Sequence, residues 1–136
     1  MSVSPVVALR RVIRARLAAD AALVAALGGE KIYDEAPRGV DAPYVVFADA
    51  QMRDWSVQLS RGAEQFLVLS VISTERGLRG ALDIAQQLVD LLDEAPLTPQ
   101  GHALVDLRFV AMETRREQNG RFARVNIRFR ATTEAQ

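Results

Sequence analysis

Apolar residues recur every three or four positions near the N-terminus, the spacing that places side chains on one face of a helix. The residues on this predicted face are Val6, Leu9, Ile13 and Leu17. Ser4 and Pro5 suit the start of such a helix, because serine can cap its free N–H groups and proline needs no donor there. Asp20 begins a second, shorter apolar run that Gly28 ends. Residues 1–29 are therefore predicted to form an N-terminal helical segment.

A stiff linker, residues 30–43, follows this segment. Pro37 and Pro43 fix their own backbone angles, and the glycine after Arg38 allows a turn between them. The residues alone predict a connection that crosses an edge of the domain. The apolar run that begins at Tyr44 is predicted to be the first strand, with proline at a position where it removes no ladder hydrogen bond.

The stretch of residues 64–73 is apolar on both of its alternating faces, which is typical of a central strand covered twice, by helices or by another subunit. Helical spacing returns after Thr74, a candidate N-cap, and ends before Pro96. The apolar face of this long helix is formed by Leu78, Leu82, Ala85, Leu88 and Leu92.

The last quarter of the chain predicts a hairpin whose turn is Asn119-Gly120, between two alternating runs. In that register Val110 faces Phe129 and one face of the last strand points into the core. The core positions predicted on this strand are Val125, Ile127 and Phe129. Along the first strand of this hairpin, the apolar residues change from odd to even positions near Phe109. This change requires either a bulge there or burial of the first half of the strand on both faces. We favour double burial.

These patterns predict an α+β fold in which an antiparallel sheet of about four to five strands packs against the N-terminal helix and a second long helix. The sheet and the long helix occupy a core region over residues 44–133. With 136 residues, of which 49% are hydrophobic, the chain can form one core, so residues 1–136 are predicted to be a single domain. No apolar stretch approaches the length of a membrane span, and no membrane partner is predicted.

The charges balance, because 17 basic residues face 17 acidic ones. This neutrality disfavours duplex nucleic acid as the main ligand. All but one of the basic residues are arginine. A GC-rich genome is the simpler explanation, and bidentate ion pairs at subunit contacts are the alternative.

Residue types that carry chemistry are scarce. The only histidine, His102, follows the turn residue Gly101 and is predicted to be a solvated turn residue. There is no cysteine and no glycine-rich phosphate loop. A catalytic triad or a histidine-based metal site would need companions that this histidine lacks. The sequence therefore predicts no catalytic residue, no metal and no cofactor.

Two surface features remain as candidates for binding. Arg124, Arg128 and Arg130 share one face of the last strand, with Arg115 opposite Arg124, which indicates a solvated face, an ion-pairing surface or the edge of a pore wall.

The other feature is the segment of residues 51–62, which contains Met52, Arg53 and the only tryptophan, Trp55. It is interpreted either as an irregular hairpin with the tryptophan at the core edge, or as a projecting loop whose aromatic side chain anchors a partner.

The order of these features resembles the tail-completion, or tail-terminator, family of long-tailed (siphovirus-like) phages and gene transfer agents. The resemblance spans residues 31–134 and the N-terminal helix also fits. It rests on "KIYDEAPRGVDAPYVVF", "EQFLVLSVIS", "ERGLRGALDIAQQLVDLLDEAPL", the Gly101-His102 turn, "LVDLRFVAMETRRE" and "NGRFARVNIRFRATTE".

The resemblance implies a non-enzymatic structural protein of a virion or phage-like particle, assembled in the bacterial cytoplasm. Members of this family form a ring, usually of six subunits, that caps the tail tube and joins it to the head connector. DNA would pass through the lumen without specific binding. The residues then expected at interfaces are Pro37, Arg38, Met52, Arg53, Trp55, Arg115, Arg124, Arg128 and Arg130.

Other functions remain open at this stage. A head–tail connector adaptor of the same particle would have a similar size, and position on the particle would distinguish it. A small cytoplasmic α+β binding module would form a discrete dimer and would not bind tail tubes. An enzyme is the least favoured reading, because the residues for catalysis are missing.

Overall fold

The structure of the protein is a computed structural model that describes residues 3–116 and 121–136, apart from the side chain of Glu75. Its elements in chain order are α1 (Pro5–Ala18), α2 (Ala21–Leu27), β1 (Ile32–Tyr33), β2 (Tyr44–Asp54), β3 (Gly62–Thr74), a short 3-10 helix (Glu75–Gly77), α3 (Leu78–Leu92), β4 (His102–Arg116) and β5 (Phe122–Ala135). The predicted α+β class is confirmed.

The two N-terminal helices begin and end where the local residues predict. The Ser4 hydroxyl accepts a hydrogen bond from a first-turn N–H at 3.4 Å, and the Asp20 carboxylate does the same for α2 at 3.0 Å. Gly28, with φ of 77°, ends α2 in the left-handed conformation that favours glycine. Thr74 makes no side-chain cap hydrogen bond, and a 3-10 turn leads into α3 instead.

The five strands form one sheet in the order β1-β2-β3-β5-β4, with β3 in the middle as predicted for the doubly apolar stretch. The four long strands are antiparallel to their neighbours. β1, however, pairs in parallel with β2, so the expectation of a purely antiparallel sheet is wrong. The reason is that the linker folds back and starts β2 in the same direction as β1.

α3 packs against β3, β4 and β5, α1 packs against α3 and β1, and α2 packs against α1 and α3, so all three helices contribute to a single core. The predicted inward positions of β5 are confirmed, because Val125, Ile127 and Phe129 are fully buried. The helix residues that are fully buried with them include Leu9, Ile13, Leu17, Leu88 and Leu92. Within the described residues, no helix is long and apolar enough to cross a membrane.

The terminal hairpin has the predicted register in the half nearer its turn. Met112 faces Ile127, and Arg115 faces Arg124. The predicted turn itself, Asn119-Gly120, lies outside the described residues. The strand face that carries the arginines is therefore the face opposite the helices, as the alternation of β5 requires.

Farther from the turn, the prediction that Val110 faces Phe129 is wrong. β4 bulges between Phe109 and Ala111, and Phe109 takes the position opposite Phe129. Double burial of the first half of β4 is not found in the single chain, where Val105 is 52% exposed. The change of apolar phase thus comes from an inserted residue, which moves every following side chain to the other face.

Candidate assembly interface

His102 is buried and does not lie in a solvated turn, so the prediction for this residue is wrong. It begins β4 opposite Ala135, and only 5% of it is exposed. Its Nε2 lies 2.7 Å from the carbonyl oxygen of Val3, so the N-terminal segment passes over it. Within the described part of the chain, no three acidic or histidine side chains are grouped closely enough to hold a metal ion.

The far end of the β2–β3 hairpin, residues 51–62, is the first candidate surface, and we call it the arm. Val57 and Ser60 exchange two backbone hydrogen bonds of 3.0 Å, which leaves Gln58 and Leu59 as a two-residue tip. Leu59 is 99% exposed and Val57 is 67% exposed. Two apolar side chains are therefore strongly exposed at or next to the tip of the arm.

The base of the arm is held by a close contact between Trp55 and Gly62. The backbone N–H of Trp55 donates to the Gly62 carbonyl at 2.9 Å. A Cβ on Gly62 would lie 2.8 Å from the Trp55 carbonyl oxygen, so the close approach requires glycine. Trp55 and Met52 keep exposed side chains, which places both of these predicted interface residues on the surface of the arm.

A buried carboxylate connects the arm to the sheet. Glu64 is only 6% exposed, and its two carboxylate oxygens accept hydrogen bonds from Arg130 at 2.7 Å and from Arg53 at 2.5 Å. These hydrogen bonds, that from Arg130 first, hold the pKa of Glu64 below its usual value, although burial opposes the shift. The two predicted interface arginines therefore share one carboxylate across three strands.

We expect Glu64→Gln to destabilise the protein at neutral pH and to remove part of its sensitivity to acid. Because the folded-state pKa of Glu64 is lowered, its contribution is present above the unfolded value of about 4.3 and is lost as pH falls through the folded pKa. Chemical unfolding of both proteins should show a gap at pH 7 that narrows towards pH 3. The exposed Glu35→Gln is the control, and a gap independent of pH would contradict this role.

The sheet face opposite the helices, which we call the outer sheet face, carries the other predicted arginines. The Arg128 guanidinium lies 4.6 Å from the centroid of the Phe66 ring, a cation–π contact. Arg115 donates to the Glu113 carboxylate at 3.3 Å, and Asn126 donates to the same carboxylate at 3.2 Å. The arginine-bearing face is thus organised by contacts with acidic and aromatic side chains.

The linker forms an exposed turn. Pro37 and Arg38 are both exposed, and the N–H of Val40 donates to the Pro37 carbonyl at 3.3 Å. The Lys31 ammonium donates to the Asp41 carbonyl at 2.9 Å and closes the base of this segment. The predicted interface residues of the linker therefore lie on a preformed surface separate from the arm.

Sequence reasoning missed two parts of these surfaces. The pattern of β3 predicts an apolar strand and does not reveal that Glu64 is buried between arginines of the two neighbouring strands. Leu59 was passed over in favour of Trp55. No glycine, asparagine or aspartate marks "VQLS" as a turn, so the sequence carries no local signal for the tip that exposes Leu59.

The fold and these surfaces define a small α+β subunit with three exposed candidates for protein contact: the arm, the linker turn and the outer sheet face. The model of the family "Tail completion protein gp17" matches residues 11–134, and the chain belongs to this family. The resemblance inferred from the sequence is confirmed.

Similarity to a solved structure supports this assignment. The chain is similar to a chain of the "Virion of native gene transfer agent (GTA) particle", with 32% sequence identity, a TM-score of 0.89, and coverage of 98% of this chain and 100% of that chain. No curated protein sequence matches significantly. The protein is therefore a tail structural protein that is located in the virion of a phage-like particle.

Proposed function

We propose that the protein is a tail terminator, of which six copies form a ring that caps the tail tube and joins it to the head connector. Membership in the tail completion family is the observation that carries this proposal. The similarity over the full length of a chain in a gene transfer agent virion supports it, since 98% of this chain is covered.

The exposed surfaces support a role with several simultaneous partners. Such a ring must contact the neighbouring subunit, the tail tube and the connector. The arm exposes apolar side chains at its tip, and the linker turn is held in shape before any contact is made. A preformed surface loses less conformational entropy on docking, so both segments suit stable assembly.

We further propose that DNA passes through the ring without specific binding and that the protein has no enzymatic function and needs no cofactor. Three predicted arginines of the outer sheet face already contact acidic or aromatic side chains: Arg130 contacts Glu64, Arg115 contacts Glu113, and Arg128 contacts Phe66. The net charge of zero leaves little counterion release to drive tight binding of a duplex. The only histidine is bound to a backbone carbonyl.

The oligomeric state tests the ring. Light scattering of the purified protein should give about 90 kDa, six times the subunit mass of 15.0 kDa, and negative-stain images should show closed rings. A discrete dimer of low mass would contradict the ring and would favour the small binding module instead.

Capture experiments test the position on the particle. Immobilised protein should retain tail tubes assembled without this protein, because their ends lack the proposed ring. Isolated heads with their connectors should bind as well, and preformed tail–head particles should not. Retention of heads alone would contradict the terminator and would identify a connector adaptor.

A further inference from the structure

We propose that neighbouring copies in the ring join through a continuous β-sheet, in which residues 110–115 of β4 in one copy pair antiparallel with residues 49–54 of β2 in the next. This inference rests on the proposed ring and names the surfaces that close it. Its partner is a second copy of this chain. The edges of β2 and β4 suit each other because their strand directions fit, their unpaired stretches are of similar length, and their charges are complementary.

The first open edge belongs to β2. β1 covers only the start of this strand, through Val45 and Val46, and the Arg10 guanidinium donates to the Ala48 carbonyl at 3.0 Å. Within the described residues, we find no backbone partner on this side for residues 49–54. Half of an 11-residue strand thus presents an unpaired edge.

The second open edge belongs to β4, but only beyond its middle. The N–H of Glu94 donates to the Leu107 carbonyl at 2.8 Å, and the Phe109 N–H donates to the Asp93 carboxylate at 2.9 Å. The two residues that follow α3 therefore cover this stretch. Beyond it, the bulge residue Val110 is 48% exposed. An exposed apolar side chain on an open edge favours a partner that covers it.

The strand directions suit a junction between copies in the same orientation. β2, β3, β5 and β4 are adjacent in this order and alternate in direction. A second copy placed beside the first, with its strands pointing the same way, therefore brings its β2 antiparallel to the first copy's β4. The junction continues the pairing that the sheet already uses.

One register gives complementary pairs on both faces. Its facing pairs are Met52 with Met112, Gln51 with Glu113, and Asp49 with Arg115. The methionines meet on the helix side, while an amide–carboxylate pair and an ion pair meet on the outer sheet face. A shift of one residue would place side chains of the helix side opposite side chains of the outer sheet face. A shift of two places either Asp49 opposite Glu113 or Asp54 opposite Met112, both unfavourable.

The required offset is compatible with a closed ring. Within one copy Met52 is level with Gln65, and Met112 is level with Leu69, so the next copy is shifted by four residues along the strands. Four residues are roughly 14 Å, and four strand spacings are roughly 19 Å, which gives a strand tilt of about 35°. Closed barrels tilt their strands by roughly 35–45°.

Cysteine crosslinking tests this junction, because the chain contains no native cysteine. We expect the double variant Met52→Cys with Met112→Cys, treated with a short bifunctional thiol reagent, to form a ladder of covalent multimers. The two strands are separated by β3 and β5 within one copy, so the crosslink must join two copies. Each single variant should remain uncrosslinked. The displaced pair Gln58→Cys with Met112→Cys, which uses the arm tip, is the matched control.

The outcomes separate the junction from the ring. If the protein forms a ring, the double variant crosslinks and the single variants do not, the result supports both the ring and the junction. Crosslinking of Met112→Cys alone would show that two β4 edges meet, which overturns this junction. A ring whose double variant crosslinks no better than the displaced control overturns the junction and leaves the ring intact. A wild-type protein that stays monomeric at high concentration overturns the ring and the junction together.

Discussion

Phe129→Ala is expected to lower the free energy of unfolding by about 3–5 kcal/mol, the range for truncating a buried aromatic side chain. The Phe129 ring is fully buried in the middle of the core. It also meets the Phe109 ring edge to face, with centroids 6.2 Å apart, so the truncation removes an aromatic contact as well as buried area. Denaturant unfolding followed by circular dichroism measures the change.

Phe122→Ala is the matched control for this prediction, because it makes the same truncation on the same strand. Phe122 is 41% exposed, so we expect a loss of only about 1 kcal/mol. Equal losses at Phe122 and Phe129, or an unfolding midpoint unchanged by Phe129→Ala, would show that the inward face of β5 is assigned wrongly.

Leu59→Ser is expected to weaken docking of the protein onto its tail or head partner by about 30-fold or more, the loss typical of a binding hot spot. Its side chain is 99% exposed and contacts little of its own subunit. The free energy of unfolding should therefore change by less than about 0.5 kcal/mol. Binding of the variant to tail tubes assembled without this protein and to isolated heads, compared with wild type, measures the effect.

Val7→Ser controls for the general effect of removing an exposed apolar side chain. Val7 lies on α1, outside residues 51–62, and is 43% exposed. We expect this variant to bind like wild type. If Leu59→Ser binds tails and heads as tightly as Val7→Ser does, the arm is not a docking surface, and the exposed apolar tip needs another explanation.

Features governed by contacts within a few residues could be predicted from the sequence. Ser4 and Asp20 cap α1 and α2 as expected, and Gly28 ends α2, because each of these interactions joins a side chain to the nearest backbone turn. The alternation of β5 correctly predicted which of its residues are buried, because a strand with one buried face admits only one phase.

The candidate surfaces were only partly predictable. The sequence pointed to residues 51–62 and to the arginine face, since both interrupt or oppose the apolar pattern. It did not reveal that Glu64 holds Arg53 and Arg130 together, because the three residues lie on three different strands. Contact between distant segments depends on strand order, and local patterns carry no information about strand order.

The amino-acid sequence by itself determined the helices, the caps of α1 and α2, the inward face of β5 and the family to which the chain belongs. Only the tertiary structure decided that β5 lies between β3 and β4, that β1 adds a parallel strand, and that β4 bulges at Val110. It also decided that His102 is buried under Val3. The physical reason is the range of the interactions: caps and alternation act between neighbours, whereas pairing, bulges and burial depend on segments that meet only after the chain folds.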